Sequence, residues 1–131
     1  MKKTTEDYLK TIYMIKQRSG EVRSVAIAEA LSLSKPTVST KVKHLIKDGF
    51  ITMNRSFGIE LTEKGLAVAL ETLDRNKTIR ELLMSLGVDE KTANADACEM
   101  EHAVSAQSIN ALKTLAGRHC LQSCVKVSCG N

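Results

Sequence analysis

Apolar residues recur at helical spacing along most of this chain and alternate as strands do over one short stretch, so the pattern predicts a mainly α protein with a single hairpin. Thr4 or Thr5 can cap a first helix over 6–15, ended by Ser19-Gly20, with Glu6 and Asp7 in its first turn, where the helix dipole favours negative charge. Ser24 opens a second helix, 25–31, small and apolar as a packing helix is. After the turn Ser32-Leu33, Ser34 caps a third helix with Pro36 in its first turn, where a missing N–H costs little. Val38, Val42, Leu45 and Ile46 form the apolar stripe of that helix, which leaves Pro36, Thr37, Thr40, Lys43, His44 and Lys47 on the other face. Gly49 ends it. Residues 50–54 then read as a strand, Arg55-Ser-Phe-Gly58 as a turn with glycine where a positive φ is expected, and 59–61 as the returning strand.

A packing helix, a tight turn, a capped polar helix and a hairpin form, in that order, a winged helix-turn-helix. Short hydroxyls at the start of the third helix allow close approach to base edges, and lysines further along can meet phosphates. Arg55, at the tip of the wing, is placed for a phosphate or the minor groove. A long helix follows from Leu66 to about Leu86, with Leu66, Ala69, Leu70, Leu73, Ile79, Leu82, Leu83 and Leu86 along one stripe. That is more apolar surface than so small a winged domain can cover, so a partner subunit is expected. Gly87 closes the helix, Asp89 caps the next, and Ser105 caps a last one carrying Ile109, Leu112 and Leu115.

Chemistry concentrates in Asp96-Ala-Cys-Glu-Met-Glu-His-Ala-Val-Ser105. Cys98, Glu101 and His102 stand at i, i+3 and i+4, which stacks a thiol, a carboxylate and an imidazole on one helix face. A first-row divalent ion needs at least one more ligand, so another segment must be drawn to it. Asp7 is either that ligand or simply a dipole-stabilising acid. The competing account is a buried small thiol beside two solvated polar residues.

Charge adds direction. Residues 1–65 carry 12 Lys and Arg against 7 Asp and Glu, whereas 66–131 carry 7 against 8, so the surplus behind the net charge of +4 lies wholly in the winged half. A polyanion partner should bind there. Few aromatics, no Trp and a single Pro agree with helix. No run of 18 apolar residues and no leader pattern is present, so a cytoplasmic protein without a membrane span is expected. In that compartment the four cysteines, Cys98, Cys120, Cys124 and Cys129, suit metal binding or burial better than disulfides. His119, Cys120, Cys124 and Cys129 could form a second thiolate site, but their spacing matches no tight Cys-x-x-Cys knuckle, so a mobile tail is the default.

The stretches Thr5-Glu-Asp-Tyr-Leu-Lys-Thr-Ile-Tyr13, Ser34-Lys-Pro-Thr-Val-Ser39, Leu61-Thr-Glu-Lys-Gly65 and 96–105 together resemble the metal-dependent regulators that include the diphtheria toxin repressor and the manganese transport regulators. The likeness runs from about Thr4 to Leu115 and implies a homodimeric winged-helix repressor, bound to double-stranded operator DNA near metal-uptake genes when Fe(II) or Mn(II) is present. By position it implies metal ligands Asp7, Cys98, Glu101 and His102. Asp7 looks like the manganese-type ligand and Cys98 like the iron-type one, so the set is mixed; softness leans to Fe(II), and zinc also fits. Asn76 stands where the family usually has a second-site His, and Lys10 where it has a second carboxylate. One well-formed metal position is therefore expected, with Asn76 as the candidate secondary ligand. The DNA-contact set is Ser34, Lys35, Pro36, Thr37, Ser39, Thr40, Lys43, Lys47 and Arg55. The expected organisation is a winged domain over 1–65, a helical metal-binding and dimerisation domain over 66–117 and a tail over 118–131. Alternatives are a regulator with a vestigial metal site or one sensing redox state through its cysteines. A metalloenzyme is disfavoured, because no general base, oxyanion loop or phosphate cradle is apparent.

Overall fold

The computed structural model describes residues 4–115, which fall into two compact units meeting at Thr72 and Leu73. The first unit holds α1 (Thr5–Ser19), α2 (Ser24–Leu31), α3 (Lys35–Lys47), β1 (Ile51–Met53), β2 (Ile59–Leu61) and the start of α4 (Glu63–Ser85). Its helices begin and end on local chemistry. Thr4 caps α1 through a reciprocal box: Asp7 N–H donates to Thr4 Oγ1 at 3.2 Å and Thr4 N–H to Asp7 Oδ2 at 3.0 Å. Gly20, with φ 80°, ends the helix by donating to the Lys16 carbonyl. Ser34 caps α3 and accepts from Thr37 N–H, with Pro36 in the first turn as expected.

The core of this unit is built from Tyr8, Leu9, Ile12 and Ile15 of α1, Ile27 of α2, and Val38, Val42 and Leu45 of α3, closed by Ile51, Ile59 and Ala69. Ile46 departs from the expected stripe. It is 39% exposed, since at i+1 from Leu45 it turns about 100° away from the core, and the stripe is one residue narrower than the sequence suggests. The strands pair antiparallel, with Ile51 opposite Leu61 and Met53 opposite Ile59. Regular pairing covers only 51–53 of the expected 50–54: Phe50 N–H closes α3 on the Leu45 carbonyl, and Asn54 is already in the turn.

Gly65 explains why helix restarts where it does. A β-carbon there would come 2.0 Å from the Phe50 carbonyl oxygen, so only glycine lets the first turn of α4 lie against that backbone. Thr62 ties the same corner, donating its hydroxyl to the Gly49 carbonyl at 2.6 Å and accepting from Gly65 N–H at 3.1 Å.

The second unit contains the rest of α4, α5 (Glu90–Met100) and a helical run over 106–115, here α6. Gly87, with φ 99°, follows α4; Asp89 caps α5 by accepting from Thr92 N–H at 3.0 Å; Ser105 accepts from Ser108 N–H at 3.1 Å to open α6. Ile79, Ala97 and Ile109 form a small core with Leu83, Val104 and Leu112 around it. Met84, Leu86, Met100 and Leu115 remain exposed on this unit, apolar area that its own core does not absorb. Among the described residues no helix is long and apolar enough to cross a membrane. His119, Cys120, Cys124 and Cys129 lie outside the described residues.

Candidate functional site

On α3, Ser34, Lys35, Pro36, Thr37, Ser39, Thr40, Lys43 and Lys47 are all exposed. The buried residues Val38, Val42 and Leu45 hold the opposite side, so one polar face is presented along the helix. Ser34 Oγ lies 2.7 Å from Thr37 Oγ1, which fixes both hydroxyls at the N-terminal end. Lys41 is the exception among the lysines of α3. It donates to Thr5 Oγ1 at 2.9 Å and sits 5.9 Å from the centre of the Tyr8 ring, tying α3 to α1. Burial raises the Tyr8 pKa above its ordinary 10.0 by disfavouring the phenolate.

Arg55 is exposed in the turn between the strands. The positive φ expected at Gly58 falls instead on Phe57, at 64°. Gly58 serves a different purpose: a β-carbon there would come 2.7 Å from Asn54 Nδ2 and push away the side chain that organises the turn. Asn54 Oδ1 accepts from both Ser56 N–H and Gly58 N–H, at 2.9 and 2.8 Å.

The expected metal ligands occupy distinct settings. Asp7, in the first unit, is part of the α1 capping box, and its Oδ1 lies 4.0 Å from the Lys10 ammonium. In the second unit Glu101 is fully buried, and its Oε1 is 3.4 Å from His102 Nε2. Two atoms each about 2.1 Å from one tetrahedral ion stand about 3.4 Å apart, so this carboxylate and imidazole already have the separation of neighbouring ligands. Cys98 is exposed, and its sulfur lies 3.6 Å from Asn76 Nδ2, which donates to it. An amide in that place donates to the thiol; its own oxygen is the only atom it could offer to a cation.

The single helix expected for Cys98, Glu101 and His102 stops short. α5 ends at Met100, with Glu101 as its cap and His102 in the following turn. Glu101 N–H still bonds the Ala97 carbonyl, but Ala103 N–H closes on the Met100 carbonyl, an i→i−3 bond that ends the helix. Arg75 Nη1 then reaches the Glu101 and Val104 carbonyls in this turn, at 3.4 Å each. Arg75, Lys41 and Asn54 were not singled out from the sequence. Only Asn54, a turn-forming residue next to the tip, had a local signal.

Two family models divide the chain between them: "Iron dependent repressor, N-terminal DNA binding domain" over residues 1–59 and "Iron dependent repressor, metal binding and dimerisation domain" over 62–123. An uncharacterised HTH-type transcriptional regulator, MJ0568 of Methanocaldococcus jannaschii, is 38% identical over 115 residues, covering 86% of this chain and 92% of that protein. The transcriptional regulator MntR of Escherichia coli O157:H7 is 34% identical over 114 residues, covering 87% of this chain and 74% of its own. Among solved structures, the manganese regulator SloR superposes with a TM-score of 0.80 at 30% identity over 89% of this chain, which spans 55% of that longer one. With the two family models spanning 1–59 and 62–123 and relatives 34–38% identical over most of both chains, the chain belongs to the iron-dependent repressor family of metal-dependent DNA-binding transcriptional regulators.

Proposed function

We propose that this protein is a homodimeric repressor whose grip on operator DNA is switched on by Fe(II) or Mn(II). The observation that carries the metal part is the buried Glu101 carboxylate 3.4 Å from the His102 imidazole. In this reading Asp7 and Cys98 complete the ligand set, and the mixture of carboxylates, imidazole and thiolate suits Fe(II) slightly better than Mn(II), with Zn(II) able to bind in a purified sample. When bound, the ion supplies a coordinate link between the segment carrying Asp7 and the turn after α5. Asn76, already donating to Cys98, holds the thiol in place more readily than it builds a second position, and the Lys10 ammonium beside Asp7 opposes a further cation.

The chain's own residues do the rest. Residues 66–117 form the dimerisation domain, with Leu86, Met84, Met100 and Leu115 offering apolar surface to a second copy. Residues 1–65 read DNA and 118–131 are a tail. Ser34, Lys35, Pro36, Thr37, Ser39 and Thr40 approach bases and nearby backbone, while Lys43, Lys47 and Arg55 meet phosphates. Two recognition helices must stand about 34 Å apart, or a multiple of it, to enter successive major grooves, so a dimer whose reading heads are held at that spacing binds and one whose heads swing freely does not. Repression needs binding alone, and the relatives are named as regulators, so no turnover is proposed. Cytoplasmic placement follows from the same role.

The test is a mobility shift with anaerobically purified protein and a duplex selected from a random pool, with Fe(II), Mn(II) or chelator. Retardation should require metal and be lost in His102→Ala and Glu101→Gln. Equal retardation in chelator removes the switch. Retardation that tracks oxidant and ignores metal favours the exposed Cys98 as a redox sensor instead.

A further inference from the structure

Phe57 is the most exposed large apolar side chain among the described residues, at 70%, and it has no place in the α3 contact set. Its backbone is left-handed, a conformation that bulky residues rarely hold and that glycine, one position along, would hold without strain. A loose loop does not explain this. Phe57 N–H donates to the Asn54 carbonyl at 3.1 Å, Asn54 N–H donates to the Gly58 carbonyl at 2.9 Å, and Arg23 Nη1 donates to the Ser56 carbonyl at 2.7 Å. The chain on both sides of Phe57 is thus pinned, and the ring is held out on a firm support. No core packing accounts for an aromatic residue there.

Between the wing and α3 runs a cleft of about 440 Å³. Val25, Ile46, Met53 and Phe57 give it an apolar lining, and Lys43 adds positive charge, whereas Arg23 is paired with Glu21 at 2.8 Å. Exposed apolar surface beside the exposed cations Lys43 and Arg55 suits a duplex strand, whose sugars are apolar and whose phosphates are anionic. The positive surplus of residues 1–65 favours that partner over an apolar protein face.

We propose that Phe57 is a DNA-contacting residue: an apolar wedge on the wing that packs against the sugar wall of the minor groove while α3 lies in the adjacent major groove. The minor groove, about 6 Å wide, admits a ring edge-on, and apolar side chains beside cations are a recurrent way of entering it. Arg55 on the same turn meets the flanking phosphate. Left-handed backbone at position 57 sets the direction of the ring, which is why the strained residue is the aromatic one. The inference rests on α3 being the recognition helix.

The experiment uses the full chain with Mn(II) and the duplex that the wild-type chain selects from a random-sequence pool. Phe57→Gly removes the ring and relieves the backbone, so its thermal midpoint should equal or exceed the wild-type value. Its duplex affinity should fall roughly tenfold, the scale of burying about half an aromatic side chain. The slope of log K against log salt should stay unchanged, because no phosphate contact is lost; Arg55→Ala, by contrast, should flatten it by about one. Phe57→Leu should keep most of the affinity. Unchanged affinity in Phe57→Gly, or a loss accompanied by a flatter slope, overturns the wedge. If Lys43→Ala still weakens binding in that case, DNA reading by α3 stands without it. Should the wild-type chain select no duplex at all, the wedge and the DNA-reading role fall together.

Discussion

Asp7 is asked to serve two masters, and replacing it separates them. As a capping residue it accepts from Thr4 N–H at 3.0 Å and returns its own N–H to Thr4 Oγ1 at 3.2 Å. As a ligand it is proposed to join Cys98, Glu101 and His102. Thr4→Ala removes the side-chain half of the cap and leaves the carboxylate, at a cost of about 1 kcal/mol. Asp7→Ala removes the other half at a similar cost of about 1 kcal/mol. For a chain of this size each should lower the metal-free melting midpoint by about 3–5 °C. The two variants should part company when Mn(II) is added. At about 100 times the dissociation constant, metal stabilises the wild-type chain by about 2.7 kcal/mol. Thr4→Ala should keep that whole gain from its lower baseline, whereas Asp7→Ala should keep little of it. The assay is thermal melting followed by far-ultraviolet circular dichroism, with and without Mn(II), alongside a metal titration. If Asp7→Ala shows the same Mn(II) increment and the same titration midpoint as Thr4→Ala, Asp7 is only a cap and the clasp between segments is wrong.

Other outcomes can be checked in parallel. Gly65→Ala places a methyl 2.0 Å from the Phe50 carbonyl and should destabilise the winged unit by about 2–4 kcal/mol, measured by urea unfolding; Gly87→Asn, with open space around it but a φ of 99°, should cost less, through backbone strain alone. Hydrogen bonds from Thr92 hold the Asp89 carboxyl below its ordinary 3.8, so its contribution is present above that pH and lost as the solution is acidified through the lowered value; the acid limb of a stability–pH curve should be shallower in Asp89→Ala. Lys43→Ala and Lys47→Ala should each reduce the salt slope of duplex binding by about 0.9, and Lys41→Ala, whose ammonium faces Thr5 and Tyr8, should leave the slope unchanged.

What the sequence determined by itself was whatever depends on residues within one turn of each other. Thr4 with Asp7, Ser34 with Thr37, Asp89 with Thr92 and Ser105 with Ser108 are caps closed over three residues, so helix starts were legible, as were the apolar periods and the order packing helix, polar helix, wing. Glu101 and His102 were expected together by stacking on one helix face; they do come within 3.4 Å, but in the turn after α5. Only the tertiary structure decided what depends on partners distant in the chain. That the turn after α5 is tied to α4 follows from Arg75, 26 residues earlier, reaching the Glu101 carbonyl. That Lys41 is withdrawn from the α3 surface follows from Thr5 and Tyr8, and that Gly65 cannot bear a side chain follows from the Phe50 backbone. The left-handed residue at the wing tip is Phe57 and not Gly58 because Asn54 and Arg23 hold the carbonyls and amides around it, a three-dimensional constraint that overrides the local preference of glycine for that conformation.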